Sequence, residues 1–167
     1  MACDTRAQVA NAQPDLFKDR VVHPLQRSLV NPLVRAAWRL GLGPPGDALL
    51  ETTGRRTGRP RFTPICDGQD GETFWVVTQR GRSSDYVRNI EANPRVRVKV
   101  RRGSRTEWLA GTAHIVDADD PVERQRIMAR SDFWRRLCVR ASRAISTSLL
   151  TIRIDLDARG RGTSAGA

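Results

Sequence analysis

Histidine, tyrosine and lysine are scarce in this chain: two, one and two residues among 167. With only His23 and His114, neither a histidine-rich metal centre nor a histidine-based hydrolytic triad is expected. Three cysteines, Cys3, Cys66 and Cys138, stand far apart and are odd in number. They show no zinc spacing and no disulfide framework, so a reducing, cytoplasmic setting is the expectation, with Cys66 and Cys138 each buried and inert and a ligand-facing Cys66 as the alternative. No run approaches the ~18 uncharged apolar residues of a membrane-spanning helix. Residues 1–20 lack the apolar stretch of a signal peptide. Aromatics are only 5% of the chain, which disfavours a base-stacking RNA-binding sheet.

What is abundant is arginine. Lys18 and Lys99 are the only lysines, so 27 of the 29 cations are arginine, against 18 acids. The formal charge is +11. GC-rich codon usage accounts for part of the arginine count. The net excess still favours anionic partners: phosphorylated cofactors, nucleic acid or an acidic membrane surface. A hydrophobic share of 39% and a length of 167 residues fit one globular domain.

Residues 1–20 read as a loose arm and 158–167 as a disordered tail. Residues 21–46 read as helical, with Pro24 and Pro32 in first turns and Gly43–Gly46 as the stop. That segment is expected to pack on the main domain, residues 47–157, with a membrane surface as the alternative. From Ala48 the apolar period becomes two. Strands are read at 48–53, 59–67, 72–79, 95–101, 105–117 and 149–157, with Pro60 and Pro64 demanding an edge position. Helices are read at 85–92, capped by Ser84, at 121–130 behind an Asp120 capping box, and from Ser131. In the last, Trp134, Leu137, Cys138, Ala141 and Ile145 form one stripe. About six short strands joined by hairpins imply a mainly β (α+β), mostly antiparallel barrel with inserted helices.

Two loops suit an anion. Thr53–Arg61 packs two glycines, two threonines and four arginines into nine residues, a cradle of backbone N–H groups and guanidinia that includes Arg55, Arg56 and Thr57. Gln79, Arg80 and Gly81 end a strand just before a helix N-terminus. A solvated basic turn is the alternative for each. The alternating Arg95–Arg101 stripe reads as a solvated outer sheet face rather than a nucleic-acid surface. No acid pair or metal cluster stands out, so the chemistry belongs to a bound cofactor.

LLETTGRRTGRPRFTPI (Leu49–Ile65) resembles a signature of the deazaflavin-dependent nitroreductase and quinone reductase family, LLTTTGRKTGxPRxxPL. Arg80-Gly81 followed by DYVRNIEANPRVRV (Asp85–Val98) resembles its second motif. The resemblance runs from about Val30 to Leu156. It implies a split β-barrel of the flavin-reductase, FMN-binding type. It also implies an oxidoreductase; the cysteines set the expected location as cytoplasmic, with contact of the N-terminal helices with the inner face of the membrane as a second setting. Reduced coenzyme F420, whose phosphate and oligoglutamate tail are anionic, would pass a hydride to a quinone, nitro compound or other small electrophilic acceptor. FMN, without an acidic tail, fits the four-arginine hairpin less well. By position, Arg56 and Arg61 match the family's phosphate-binding and motif cations. Gln79, Arg80 and Gly81 match its second phosphate loop, Thr63, Pro64 and Ile65 would run along the deazaflavin ring, and Tyr86 replaces the helix tryptophan; Tyr86 and solvent are the two candidate proton donors. Trp38, Cys66 and Trp134 are the candidates for the acceptor pocket. Other readings are a protein that stores or shields the deazaflavin, or a basic nucleic-acid-binding barrel. The chain is a monomer or homodimer on this reading, with a small-molecule acceptor as partner.

Overall fold

The computed structural model describes residues 36–38, 43, 45–130 and 133–157. The expected arm, tail and most of the N-terminal helical segment lie outside them. Seven strands form one antiparallel sheet in the order β2-β1-β5-β6-β7-β4-β3. They are β1 (Asp47–Thr53), β2 (Pro60–Cys66), β3 (Gln69–Asp70), β4 (Thr73–Thr78), β5 (Arg95–Arg102), β6 (Arg105–Val116) and β7 (Leu150–Leu156). Helix α1 (Asp85–Ala92) follows a single 3-10 turn, and α2 (Pro121–Met128) and α3 (Phe133–Ile145) precede β7.

The sheet is mainly β in content and curls into a half-barrel, the split barrel that the sequence suggested. Among the described residues it does not close: β2 and β3 are its two edges. β3 is not among the strands read from the sequence; its two residues pair with Phe74 and Thr73. Pro60 and Pro64 sit on edge strand β2, where a missing N–H breaks no ladder.

The concave face carries the core. Leu50, Phe74, Val76, Val96, Val98, Val100, Ile152 and Ile154 pack with Val87 and Ile90 of α1. Strict alternation in β5 turns its valines inward and its cations outward, and those cations are engaged. Arg95 pairs with Asp157 at 2.7 Å and Arg97 with Glu51 at 2.6 Å. Lys99 donates to the Trp38 carbonyl. Arg97 and Lys99 also lie over the Trp108 ring, at 5.0 and 5.8 Å.

Three expectations are corrected here. Asp120 caps α2 through Val122 N and Glu123 N, but Ser84 makes no side-chain cap to α1. Cys66 and Cys138 are not separate inert thiols: they form a disulfide, with Cα atoms 5.9 Å apart. Their separation of 72 residues left no local spacing to read. Helix α3 turns a different face inward from the one its apolar stripe suggested. Trp134 and Leu137 stay 47% and 51% exposed, while Val139 and Ser142 are buried. Polar anchors set this rotation. Arg135 pairs with Asp67 at 3.0 Å and donates to the Gln69 carbonyl, Cys138 is bonded to Cys66, and Ser142 accepts from Gln79. No helix among the described residues is long and apolar enough to cross a membrane.

Candidate functional site

A cavity of about 650 Å³ opens where the half-barrel fails to close. Its walls are the β1–β2 hairpin, the free edge of β2, the end of β4, the start of α1 and Ser142 of α3. That volume suits a small ligand or cofactor head group.

The hairpin is built by its own chemistry. Gly54 N–H donates to Arg59 O at 2.9 Å, Gly58 N–H to Gly54 O at 2.8 Å, and Arg59 N–H to Thr57 Oγ1 at 3.4 Å. Gly58 has φ +65°, in the left-handed region that glycine tolerates. The turn is then tied to α1. Asn89 Oδ1 accepts from Arg55 N–H and Arg55 Nη1, at 3.2 and 3.1 Å, while its Nδ2 donates to Thr52 Oγ1 at 3.1 Å. Arg55 also reaches Asp85. Arg55 is thus a strut of the site rather than a free cation.

Arg56, Arg61 and Arg80 line the same cavity, and among the described residues their guanidinia have no hydrogen-bond or ion-pair partner. Elsewhere on the molecule, Arg82, Arg95, Arg97, Arg102 and Arg124 each face a carboxylate. Three guanidinia without a partner among the described residues thus line one opening, an arrangement whose charge favours an anion.

The second loop is fixed from behind. Thr147 and Ser148 N–H groups both donate to Gln79 O, at 2.8 and 3.2 Å. Gly81, at φ +49°, lies so close to Ser148 that a Cβ would come within 2.7 Å of its hydroxyl. Gly81 shapes the loop without lining the cavity, whereas Gln79 and Arg80 line it.

Arg55, Arg56, Thr57, Arg61, Thr63, Pro64, Ile65, Cys66, Gln79, Arg80 and Tyr86 are brought together around one opening. Trp38 and Trp134 are not. Trp38 is fully buried on the outer side of β5, held by Lys99 at 3.0 Å and close against Gly43. Trp134 is exposed and stacks edge-on with Phe133. Neither therefore lines this cavity. Sequence reasoning passed over Asn89, Asp85 and Ser142 as site residues. Asn89 stood in the second motif as a polar residue on an otherwise apolar helix face, and that was the available signal.

Burial raises the Tyr86 phenol well above its usual range, and a hydrogen bond with Ser84 opposes this in part. Tyr86 therefore stays protonated and can donate a hydrogen bond into the cavity. Burial also raises the Asp47 carboxyl from 3.8 to about 6. Its folded pKa then lies above its unfolded value, so the folded state binds the proton more tightly. The stability linked to Asp47 is full below 3.8 and is lost as pH rises through about 6. That loss is roughly 2 kcal/mol after allowing for partial exposure. Thermal unfolding is expected to fall by about 4–8 °C from near pH 4 to near pH 8 from this group. Asp47→Asn should flatten that part of the profile, as scanning calorimetry at a series of pH values would show.

A family model described as F420H(2)-dependent quinone reductase matches residues 26–157. An F420H(2)-dependent quinone reductase of Mycobacterium tuberculosis is 38% identical over 61 residues, which are 35% of this chain and 41% of that protein. The match thus spans less than half of that relative. A solved protein of unknown function from Agrobacterium tumefaciens superposes with a TM-score of 0.50 at 17% identity, covering 67% of this chain and 48% of its own. A solved F420-H2 dependent reductase superposes at 0.47 with 17% identity, covering 68% of this chain and 95% of its own.

Proposed function

The chain belongs to the F420H(2)-dependent quinone reductase family, and from that premise we propose that it binds coenzyme F420 in the split of the half-barrel and reduces a quinone or other small electrophilic acceptor there. The observation that carries this reading is the set of three unpartnered guanidinia, Arg56, Arg61 and Arg80, around one cavity. The cofactor's phosphate and carboxylates are the anions such a set would hold. Its ring would lie along Thr63, Pro64 and Ile65, where the outer edge of β2 has no neighbouring strand among the described residues.

The bound deazaflavin supplies the hydride. The protein supplies the rest. Arg56, Arg61 and Arg80 neutralise the tail, so binding energy accumulates away from the reacting ring. Asn89 and Asp85 hold Arg55, and with it the hairpin, in the geometry that aims those cations. The Ser84–Tyr86 pair offers a hydroxyl donor for charge that develops on the acceptor.

Binding and turnover test this directly. Fluorescence titration should show saturable binding of coenzyme F420, with FMN much weaker. Reduced F420 should then be consumed on addition of a soluble quinone. Binding without consumption, across quinones and nitroaromatics, would replace the reductase reading with a cofactor-storing one. Absence of binding would end both.

A further inference from the structure

The Cys66–Cys138 disulfide has no part in the proposed hydride transfer, yet it is built into the cavity. Cys66 lines the opening at the end of edge strand β2. Cys138 lies one turn before Ser142, which also lines the cavity. The bond thus ties the end of β2, which lines the cavity, to helix α3. Both cysteines are half-buried rather than sealed in the core, so a small reductant can reach them.

Asp47 completes the arrangement. Its Oδ1 is 3.1 Å from Cys138 Sγ. A disulfide sulfur has no proton to donate, so in the oxidised protein this contact is a hydrogen bond only when the carboxyl carries the proton. In the reduced protein the Cys138 thiol can donate to the carboxylate instead. The same geometry serves both redox states. Burial favours the protonated carboxyl.

We propose that Cys66–Cys138 is a redox-active site, opened by a dithiol reductant through exchange at Cys66, with Asp47 protonating the departing Cys138 sulfur, and that opening it weakens ligand binding in the cavity. A thiolate of the dithiol attacks Cys66 Sγ. The Cys66–Cys138 S–S bond breaks, its electron pair goes to Cys138 Sγ, and the Asp47 proton follows. The second thiol of the reductant, as thiolate, then attacks its own mixed-disulfide sulfur and releases Cys66, which takes up a proton. The dithiol leaves as a cyclic disulfide, the protein gains two thiols, and water returns the proton to Asp47. Meanwhile the Asp67–Arg135 ion pair, on residues flanking the two cysteines, keeps α3 docked against the end of β2. The sulfurs therefore stay within reach of each other, and the bond can re-form. The effect on binding rests on the cofactor reading of the cavity; the exchange itself does not.

The test uses the full chain without cofactor first. Under anaerobic conditions at about pH 6, where Asp47 is half protonated, dithiothreitol is added and alkylated thiols are counted by intact mass. The wild type should go from one alkylated thiol, Cys3, to three. Asp47→Asn should still hold the disulfide but lose it about tenfold more slowly, while a variant at a remote carboxylate, Glu107→Gln, should match the wild type. Three thiols before reductant, or an unchanged rate in Asp47→Asn, would overturn the proposal. The oxidised and reduced proteins are then titrated with F420. The reduced protein should bind severalfold more weakly, and Cys138→Ser should behave like it with or without reductant. Equal affinity in both states would refute the coupling to the cavity. If the oxidised protein binds no F420, the cofactor reading fails, and the thiol count and the Asp47 comparison still decide the exchange.

Discussion

Arg56→Ala and Arg61→Ala should each raise the dissociation constant for coenzyme F420 by about ten- to a hundredfold. Both side chains line the cavity and neither has a partner among the described residues. A charge-assisted hydrogen bond to phosphate or carboxylate contributes roughly 1.5–3 kcal/mol, and 1.4 kcal/mol is about tenfold. Because neither residue supports another part of the fold, thermal unfolding should be unchanged within about 2 °C. The control is Arg95→Ser, which removes a cation of the same charge from the outer face, where Asp157 already pairs with it. Affinity for the cofactor should then hold. Fluorescence titration of the three variants checks the result. Wild-type affinity in both cavity variants would make these arginines ordinary surface charge.

The second large effect belongs to Asn89, and it should appear in stability as well as binding. Asn89 is 4% exposed and makes three hydrogen bonds, two to Arg55 and one to Thr52. Asn89→Leu keeps the volume and removes all three. Thr52, itself 2% exposed, then loses the donor to its hydroxyl inside the core. The Arg55 N–H loses its acceptor as well. Leaving such groups unsatisfied costs about 3 kcal/mol in total. For a chain of this size the midpoint should fall by about 6–12 °C. Cofactor binding should weaken too, because the hairpin carrying Arg56 and Arg61 is no longer fixed to α1. Calorimetry and the same titration, run below the variant's transition, separate the two consequences. A stable Asn89→Leu protein with normal affinity would show that the hairpin folds without this junction.

Much of the barrel was legible because its signals are local. Alternating valine and cation in Arg95–Arg101 specifies a strand with one dry face, since successive side chains point to opposite sides. Pro60 and Pro64 specify an edge because each lacks a donor. The hairpin Thr53–Arg61 declares its turn through Gly54 and Gly58, and its cations through plain composition. Helix α1 appears at its expected bounds, Asp85–Ala92. The resemblance added the cofactor class, which no single residue encodes.

Other features required the chain to be folded. Periodicity says that α3 is amphipathic; it does not say which face wins. Apolar matching favoured Trp134 and Leu137. In the folded chain, Asp67, Gln79 and Cys66 captured Arg135, Ser142 and Cys138, and the helix turned to meet them. Trp38 read as a cavity wall because it was an aromatic in an aromatic-poor chain; β5 offered it the outer side, where Lys99 holds its carbonyl. The sequence by itself determined the six longer strands, the edge and the basic hairpin, because each rests on neighbours a few residues apart. The tertiary structure alone decided which arginines stay free, which helix face is buried and that Cys66 meets Cys138, because those depend on partners tens of residues away that compete for the same groups.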